Sequence, residues 1–224
     1  MASTKSRKRS KPIEPEPILK GNGLKIGIFL LAIIVIVAIA AIYINSGSNG
    51  DGDQNGGIVT GNPIAVIDTS MGTIKVELFE DLVPNTVENF VKLANDGFFD
   101  GLVFHRVIND FMIQGGGFET DGSKKESPYG TIDLEINKEV RNVDGAIAMA
   151  RTTDLNSATS QFYICDGAQA FLDDQYAAFG ITIEGMDVVR SIAALDPEHT
   201  TTKNGMANWP VDEVIINSIT IENQ

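Results

Sequence analysis

The hydrophobic residues of the chain follow two different patterns. Residues 26–44, IGIFLLAIIVIVAIAAIYI, form one run of 19 residues without a charge. As a helix this run would be about 28 Å long, close to the ~30 Å hydrocarbon core of a bilayer. After residue 63, hydrophobic residues instead occur in short runs separated by glycine, asparagine and aspartate. The pattern predicts a transmembrane helix followed by a folded domain that is rich in short strands.

The region after residue 63 contains many short β-rich runs and only two helical patterns. Residues 84–97 have helical spacing, with Pro84 suited to the first turn and Gly97 to the end. A second helix is predicted for residues 185–195, and residues 196–210, which show no period, are expected to form a long loop. The β-rich runs are IAVIDTS, TIKVELF, LVFHRVI, FMIQGG, GAIAMA, SQFYIC, AAFGITI and VIINSITIEN. This composition predicts a mainly β fold, a closed antiparallel barrel capped by helices.

The basic residues before the apolar run predict its orientation. Residues 1–25 carry seven Lys/Arg against two acids and contain the proline-broken PIEPEP, so they read as a basic disordered cytoplasmic tail. The positive-inside rule then places the folded domain outside the cytoplasm, on a single-pass, uncleaved anchor in the cell membrane. The alternative is a signal peptide cleaved near AIAA (residues 38–41), which would release a secreted protein. Its apolar region would, however, exceed the usual ~7–15 residues.

Residues 45–62, NSGSNGDGDQNGGIVTGN, predict a linker between the anchor and the folded domain at residues 63–224. They are low in apolar content and rich in glycine, asparagine and aspartate. The stretch DGDQNG (residues 51–56) matches the opening of a calcium loop. The twelfth loop position would be Asn62, however, where such a site needs a bidentate glutamate. Calcium binding is kept as an alternative to a solvated, turn-rich linker.

Composition and motifs exclude several classes of function. The chain has a net charge of −13, and residues after 25 carry ten basic against 28 acidic residues, so nucleic acid is not an expected partner. Cys165 is the only cysteine, which rules out an intramolecular disulfide and favours a small buried side chain. With two histidines, no H-E-x-x-H, no G-x-S-x-G and no nucleotide-binding glycine motif, neither a catalytic metal nor another cofactor is expected.

The stretch FHRVINDFMIQGG (residues 104–116) places an arginine among large apolar residues. In an extended strand, Phe104 and Ile108 would share a face with Arg106, while the intervening residues point to the other face. Arg106 would then lie beside hydrophobic side chains and outside any row of charges. An arginine that snorkels or pairs with one of the many acids would explain the same pattern without any function.

Several stretches resemble the cyclophilin family of peptidyl-prolyl cis–trans isomerases. They occur in the family's order and span essentially residues 63–221. These stretches are NTVENFVKLANDGFFDGLVFHRVINDFMIQGG, AIAMAR, SATSQFYI, FLDDQYAAFG and GMDVV. The resemblance implies an eight-stranded antiparallel barrel closed by two helices, with the active site on the outer surface of the barrel.

The resemblance also implies roles for ten residues. Arg106 matches the family's catalytic arginine. The apolar pocket that holds the substrate proline matches Phe111, Met112, Tyr163, Phe171 and Leu172. Positions that hold the peptide backbone match Gln114, Ala150 and Arg151. Tyr176 matches a position at the rim of the pocket where many members carry histidine. His105 is not needed as a base and is expected to be structural.

Three positions depart from the family pattern. Phe171 stands where eukaryotic cyclophilins often carry tryptophan, which makes cyclosporin binding doubtful. Tyr163 stands where phenylalanine is usual and adds a hydroxyl to the pocket wall. Arg151 replaces a usual asparagine at a position where the peptide contact is mainly through the main chain.

The expected function is acceleration of X–Pro isomerisation during the folding of extracytoplasmic proteins. The expected partners are unfolded or flexible polypeptides that contain proline, and the membrane through the N-terminal helix. Two alternatives remain open on the residues alone. One is a catalytically weak peptide-binding chaperone or scaffold that uses the same groove, and the other is a structural membrane protein that binds no peptide.

Overall fold

The computed structural model describes residues 61–195 and 200–223. The predicted cytoplasmic tail (residues 1–25), transmembrane helix (residues 26–44) and calcium loop (residues 51–56) lie outside the described residues, as does all but the end of the predicted linker. Within the described ranges, no helix is long and apolar enough to cross a membrane.

The described residues form ten strands, two α-helices and one 3-10 turn. Each strand and helix that the sequence predicts for the folded domain lies within a few residues of an observed one. The helices are shorter than predicted, because α1 ends at Asn95 and α2 at Ala193. The strands are β1 Ile64–Thr69, β2 Gly72–Leu78, β3 Arg106–Ile108, β4 Met112–Gly115, β5 Ala146–Met149, β6 Phe162–Cys165, β7 Ala178–Glu184, β8 Thr200–Lys203, β9 Met206–Pro210 and β10 Ile216–Glu222. The helices are α1 Pro84–Asn95 and α2 Met186–Ala193, and the 3-10 turn is Ala170–Leu172.

Eight strands form one curled antiparallel sheet in the order β10-β1-β2-β7-β5-β6-β4-β3. The expected closed barrel needs a correction, because no regular ladder joins the two edge strands β3 and β10. The chain just before each strand makes the connection, through an isolated bridge between Val103 and Ile215 and a 2.9 Å hydrogen bond from the Phe104 amide to the Val214 carbonyl. The sheet is therefore a half-barrel whose edges meet only locally.

The interior of the curled sheet is filled by side chains. Helix α1 turns its apolar face inward, and the Phe90 ring lies 5.2 Å from Phe99, 5.5 Å from Phe162 and 5.2 Å from Phe179, between ring centroids. All four rings are fully buried. Such dense aromatic packing stabilises the fold but leaves no room for a ligand inside. A binding site must therefore lie on the outer face of the sheet.

Residues 196–210 are corrected from a long loop to a region that contains the β8–β9 hairpin. The hairpin turns at Asn204-Gly205, both with positive φ (50° and 81°), the conformation that Asn-Gly favours in two-residue hairpins. Trp209 on β9 is buried, and its ring packs against His105 and Phe118, each at 6.0 Å. The hairpin thus supports the segment that leads into β3.

A second buried cluster lies on the outer face of β4, β5, β6 and β7. Because side chains alternate along a strand, Ile113 and Ile164 point into the main core while Met112, Tyr163 and Cys165 point outward. The 3-10 turn covers this outer layer with Leu172. Both faces of β5 and β6 are therefore buried, which explains why their sequences are continuously apolar. This outer layer forms the floor of a depression.

Candidate active site

The outer face of the sheet carries a depression of about 130 Å³ that gathers the residues expected to form the site. It is similar in size to the ~150 Å³ apolar cavity that accommodates benzene in another protein, so one small ring fits. Nine of the ten residues line it: Arg106, Phe111, Met112, Gln114, Ala150, Arg151, Tyr163, Leu172 and Tyr176. The tenth, Phe171, is 64% exposed, and its ring stacks on Phe111 with 5.8 Å between centroids. The fold thus brings all ten together.

The β3–β4 hairpin positions Arg106 at one side of the depression. In its register, Arg106 pairs with Gln114, and Ile108 pairs with Met112. The Arg106 guanidinium donates to the Gln114 Oε1 at 3.3 Å, lies 3.9 Å from the Met112 sulfur and stands 5.7 Å from the centroid of the Phe111 ring. It is therefore held by neutral groups, and several of its N–H donors remain available.

The charge on Arg106 is not neutralised by an acid. Among the described residues, no Asp or Glu oxygen lies within 4.0 Å of its guanidinium nitrogens. Burial lowers the pKa of Arg106 from its usual value, and Tyr176 opposes that effect. The guanidinium nevertheless stays protonated at neutral pH, because arginine titrates far above it. Within residues 61–195 and 200–223, no structural ion pair therefore accounts for Arg106.

The expected sharing of one strand face by Phe104 and Arg106 is wrong. Phe104 is fully buried in the main core, where Val107 also packs, whereas Arg106 lines the outer depression. The physical reason is that β3 begins only at Arg106, so strict alternation does not extend back to Phe104.

Gln161 is a contributor that sequence reasoning missed. Its Oε1 accepts a 3.0 Å hydrogen bond from Nε2 of Gln114, while Oε1 of Gln114 accepts from Arg106. Each end of the Gln114 amide therefore has one partner, which fixes its orientation. A polar residue directly before the buried run FYIC was the available signal in the sequence.

The floor of the depression is tied to the 3-10 turn by a buried polar chain. The Tyr163 hydroxyl donates to Oδ1 of Asn142 at 2.8 Å, and the Asn142 amide groups donate to the Asp173 carboxylate. The hydroxyl that distinguishes this pocket wall is thus hydrogen-bonded within the protein. Burial raises the pKa of Tyr163 above its ordinary value, so the side chain is neutral. These hydrogen bonds hold Leu172, the neighbour of Asp173, against the floor of the depression.

Arg151 and Tyr176 also line the depression. The Arg151 side chain donates from Nε to the Gln175 carbonyl at 2.9 Å and from its terminal nitrogen to the Thr152 carbonyl at 2.8 Å. Its guanidinium lies 4.6 Å from the centroid of the Tyr176 ring. Arg151 therefore has a defined side-chain position in addition to the main-chain role implied by the resemblance.

Two titratable groups close to the site lie outside the depression. His105 is buried against Phe118, its Nδ1 has no hydrogen-bond partner, and burial lowers its pKa to about 4, although the Val103 carbonyl opposes this. Burial likewise raises the pKa of the Cys165 thiol to about 12. Both groups are uncharged at neutral pH. Within residues 61–195 and 200–223, no cluster of His, Cys, Asp and Glu could hold a metal ion.

Comparison with known proteins identifies the class to which this fold and site belong. The family model for cyclophilin type peptidyl-prolyl cis-trans isomerases matches residues 64–221. The chain belongs to the cyclophilin family, and its activity is the cis–trans isomerisation of X–Pro peptide bonds.

Bacterial relatives and a solved structure agree with this assignment. A peptidyl-prolyl cis-trans isomerase of Streptomyces antibioticus is 42% identical over 163 residues, which cover 69% of this chain and 96% of the relative. Peptidyl-prolyl cis-trans isomerase B of Escherichia coli (strain K12) is 40% identical over 162 residues, 68% and 96% of the two chains. A cyclophilin type isomerase of Cryptosporidium parvum, determined in the presence of the dipeptide Ala-Pro, has a TM-score of 0.60 and 27% identity, covering 72% of this chain and 99% of its own.

Proposed function

We propose that Arg106 is the catalytic residue and that the depression beside it holds the substrate proline. The observation that carries this proposal is a guanidinium that has no acidic partner in the described part of the chain and that borders a depression with room for one small ring. Met112 and Leu172, both almost completely buried, supply apolar floor for the ring.

The chemistry of amide rotation explains why these groups suffice. An X–Pro bond rotates over a barrier of about 20 kcal/mol because the nitrogen lone pair is delocalised into the carbonyl. In the twisted transition state the lone pair is localised on the nitrogen and can accept a hydrogen bond. A guanidinium beside that nitrogen therefore binds the transition state more strongly than the planar ground state, which is the requirement for catalysis. No covalent bond breaks, so no nucleophile or general base is required.

The remaining site residues restrain the peptide on either side of the rotating bond. Phe111 lines the depression, and its ring stacks on that of the exposed Phe171. Gln114, oriented by Arg106 and Gln161, offers polar groups to the peptide backbone, and Ala150 also lines the depression. Holding the proline ring while one end of the peptide is free to turn lowers the entropic part of the barrier.

Substitution of Arg106 tests the proposal. In a protease-coupled assay on a short X–Pro peptide, Arg106→Ala should lower kcat/KM by about 10²–10³-fold, the usual loss for one transition-state donor. Arg106→Lys should recover part of the rate, because it restores a charge without the planar fork. The matched control is Arg190→Ala on α2, which removes an arginine paired with Asp144 away from the depression.

Two results would contradict the catalytic role. If Arg106→Ala kept the wild-type rate, another group would have to stabilise the transition state. If the wild-type protein bound the peptide, seen as chemical-shift changes, but isomerised it no faster than buffer, the peptide-binding chaperone reading would replace the enzyme reading.

We further propose that the enzyme acts on polypeptides folding outside the cytoplasm while anchored in the membrane. The support is the uncharged run at residues 26–44 and the basic residues that precede it. Uncatalysed X–Pro isomerisation takes tens of seconds or more, slow enough to limit folding, so an isomerase at the site of export would have a use. Cell fractionation tests the location.

A further inference from the structure

A second depression adjoins the proposed proline site. It is an open hollow of about 560 Å³ lined by Arg151, Thr152, Thr153, Leu155, Gln175 and Tyr176. Arg151 and Tyr176 line both hollows, so the stack of this guanidinium on this ring is the wall between them. A peptide whose proline occupies the first hollow would place a neighbouring side chain in the second.

Arg151 is one of two arginines in the described domain that form no ion pair with an acid there. The described residues contain four arginines, and two of them pair with acids, Arg141 with Asp173 at 3.1 Å and Arg190 with Asp144 at 2.7 Å. The two arginines without an acidic partner within 4.0 Å, Arg106 and Arg151, are the two that line the site. The two arginines of the described domain that lack an acidic partner therefore both border the site.

Arg151 is also held in place ready for a ligand. Its hydrogen bonds to the Gln175 and Thr152 carbonyls and its stacking on Tyr176 use one face and part of the edge of the guanidinium. Its other terminal nitrogen makes no hydrogen bond within the described residues, which leaves N–H donors for a ligand. Little side-chain entropy would be lost on binding, because the rotamer is already fixed.

The chemistry of the second hollow suits an acidic side chain. Its lining contains no Asp or Glu, and the exposed side of Leu155 offers apolar surface to the methylene groups of a ligand. We propose that this hollow is a subsite for a Glu or Asp that neighbours the substrate proline, with Arg151 as the residue that determines the preference. The inference rests on the proposed placement of the proline in the first hollow.

Peptides that differ only beside the proline test the subsite. Two sets would carry Glu, Gln or Lys directly before or directly after the proline, assayed with the full chain at low ionic strength. In one of the two sets, kcat/KM for the Glu peptide should exceed that for the Lys peptide about fivefold, the scale of a partly exposed ion pair. The ratio should shrink as salt is added, because salt screens such a pair.

Variants assign the preference to Arg151. Arg151→Gln should bring the Glu-to-Lys ratio close to one, whereas Arg151→Lys should keep part of it. Arg190→Gln removes the same charge from α2 and should leave the ratio at the wild-type value, which controls for net charge. Circular dichroism of each variant confirms folding.

The outcomes separate this inference from the function on which it rests. Equal kcat/KM for the Glu and Lys peptides in both sets, with normal turnover, would overturn the subsite and leave the isomerase mechanism intact. A preference that survives Arg151→Gln would also overturn it. Failure of the wild-type protein to accelerate any of the peptides would instead overturn the placement of the proline.

Discussion

His105 and Arg106 are neighbours in the chain, but the first is uncharged and the second is charged. Arg106 lines the outer depression and keeps its charge, whereas His105 packs between Phe118 and Trp209 and is neutral. A buried histidine whose Nδ1 has no hydrogen-bond partner among the described residues resists protonation, because the Val103 carbonyl replaces only part of the hydration that the charged form loses. His105 therefore acts on stability rather than on catalysis.

Stability should consequently fall in mild acid on account of His105. Its pKa is about 4 in the folded chain and about 6.5 when unfolded, so between these values only the unfolded state binds the proton. The free energy of unfolding therefore decreases as the pH falls from 6.5 towards 4, by about 3 kcal/mol in total. Denaturant unfolding of the wild type and of His105→Gln at pH 7 and pH 4.5 measures this contribution.

The difference in unfolding free energy between the two proteins reports the contribution of His105 alone, because the carboxylates titrate alike in both. We expect the gap in unfolding free energy between wild type and His105→Gln to change by most of that amount between the two pH values. Parallel pH profiles would mean that His105 takes up its proton as readily in the folded protein as in the unfolded one.

The sequence predicts the residues that line the site but not the residues that hold them in place. All ten residues transferred from the family motifs meet at one surface, since collinear motifs fix which positions converge. Gln161 and Asn142 were missed because their parts are set by partners 47 and 21 residues away. The unpaired state of Arg151 was equally hidden, because ion pairing depends on which acids the fold brings near.

At the scale of elements, the turn between β3 and β4 is held by the segment after β6. Asp110 in this turn has a positive φ of 55°, an unfavourable conformation for a residue with a side chain. Its amide donates to the Asp166 carboxylate at 2.9 Å, its carbonyl accepts from Gln169 at 3.0 Å, and the Phe111 carbonyl accepts from the Asp166 amide at 3.0 Å. These contacts, called the turn latch here, offset the strain and set the position of Phe111.

Removing the latch carboxylate should therefore weaken substrate binding. Asp166→Ala leaves the Asp110 amide without its partner, a loss of about 1 kcal/mol or more. We expect a KM about fivefold higher on an X–Pro peptide, with a smaller change in kcat, because Phe111 borders the proline site and Arg106 is untouched. Steady-state kinetics of the two parameters measures the split.

A second substitution distinguishes the latch from general damage. Asp110→Gly in the Asp166→Ala background should restore part of the KM, because glycine adopts positive φ without strain. Asp121→Ala removes a similar side-chain cap, on the Ser123 amide, in a turn that does not line the depression, and should leave KM unchanged. An unchanged KM in Asp166→Ala would show that the turn holds Phe111 without the latch.

The elements themselves were largely predictable, with two instructive exceptions. Short β-rich runs bounded by turn residues predict the eight sheet strands, and helical spacing predicts both helices. The sequence predicts a loop at the β8–β9 hairpin because its strands lack regular apolar alternation, although Asn204-Gly205 is a strong turn signal. Barrel closure was overestimated because the apolar run before β3 bridges β10 instead of extending a ladder.

At the scale of the whole molecule, the fold and the site are contained in the described domain. The core is filled, and every site residue lies between Arg106 and Tyr176. The match to the relative from Streptomyces antibioticus covers 69% of this chain and 96% of that relative. We therefore propose that residues 1–60, which lie outside the matched family region at residues 64–221, act on location and not on catalysis.

The last prediction separates location from catalysis. The full chain should stay in the membrane pellet after a high-salt wash, because salt releases electrostatically bound proteins but not a buried apolar helix. The chain without residues 1–60 should be soluble and isomerise a short X–Pro peptide with an unchanged kcat/KM. Val35→Arg should impair membrane insertion, since a charge at the centre of the run costs about 3 kcal/mol, whereas Val35→Leu should not. A released form of the full chain that begins near residue 41 would instead establish cleavage and secretion.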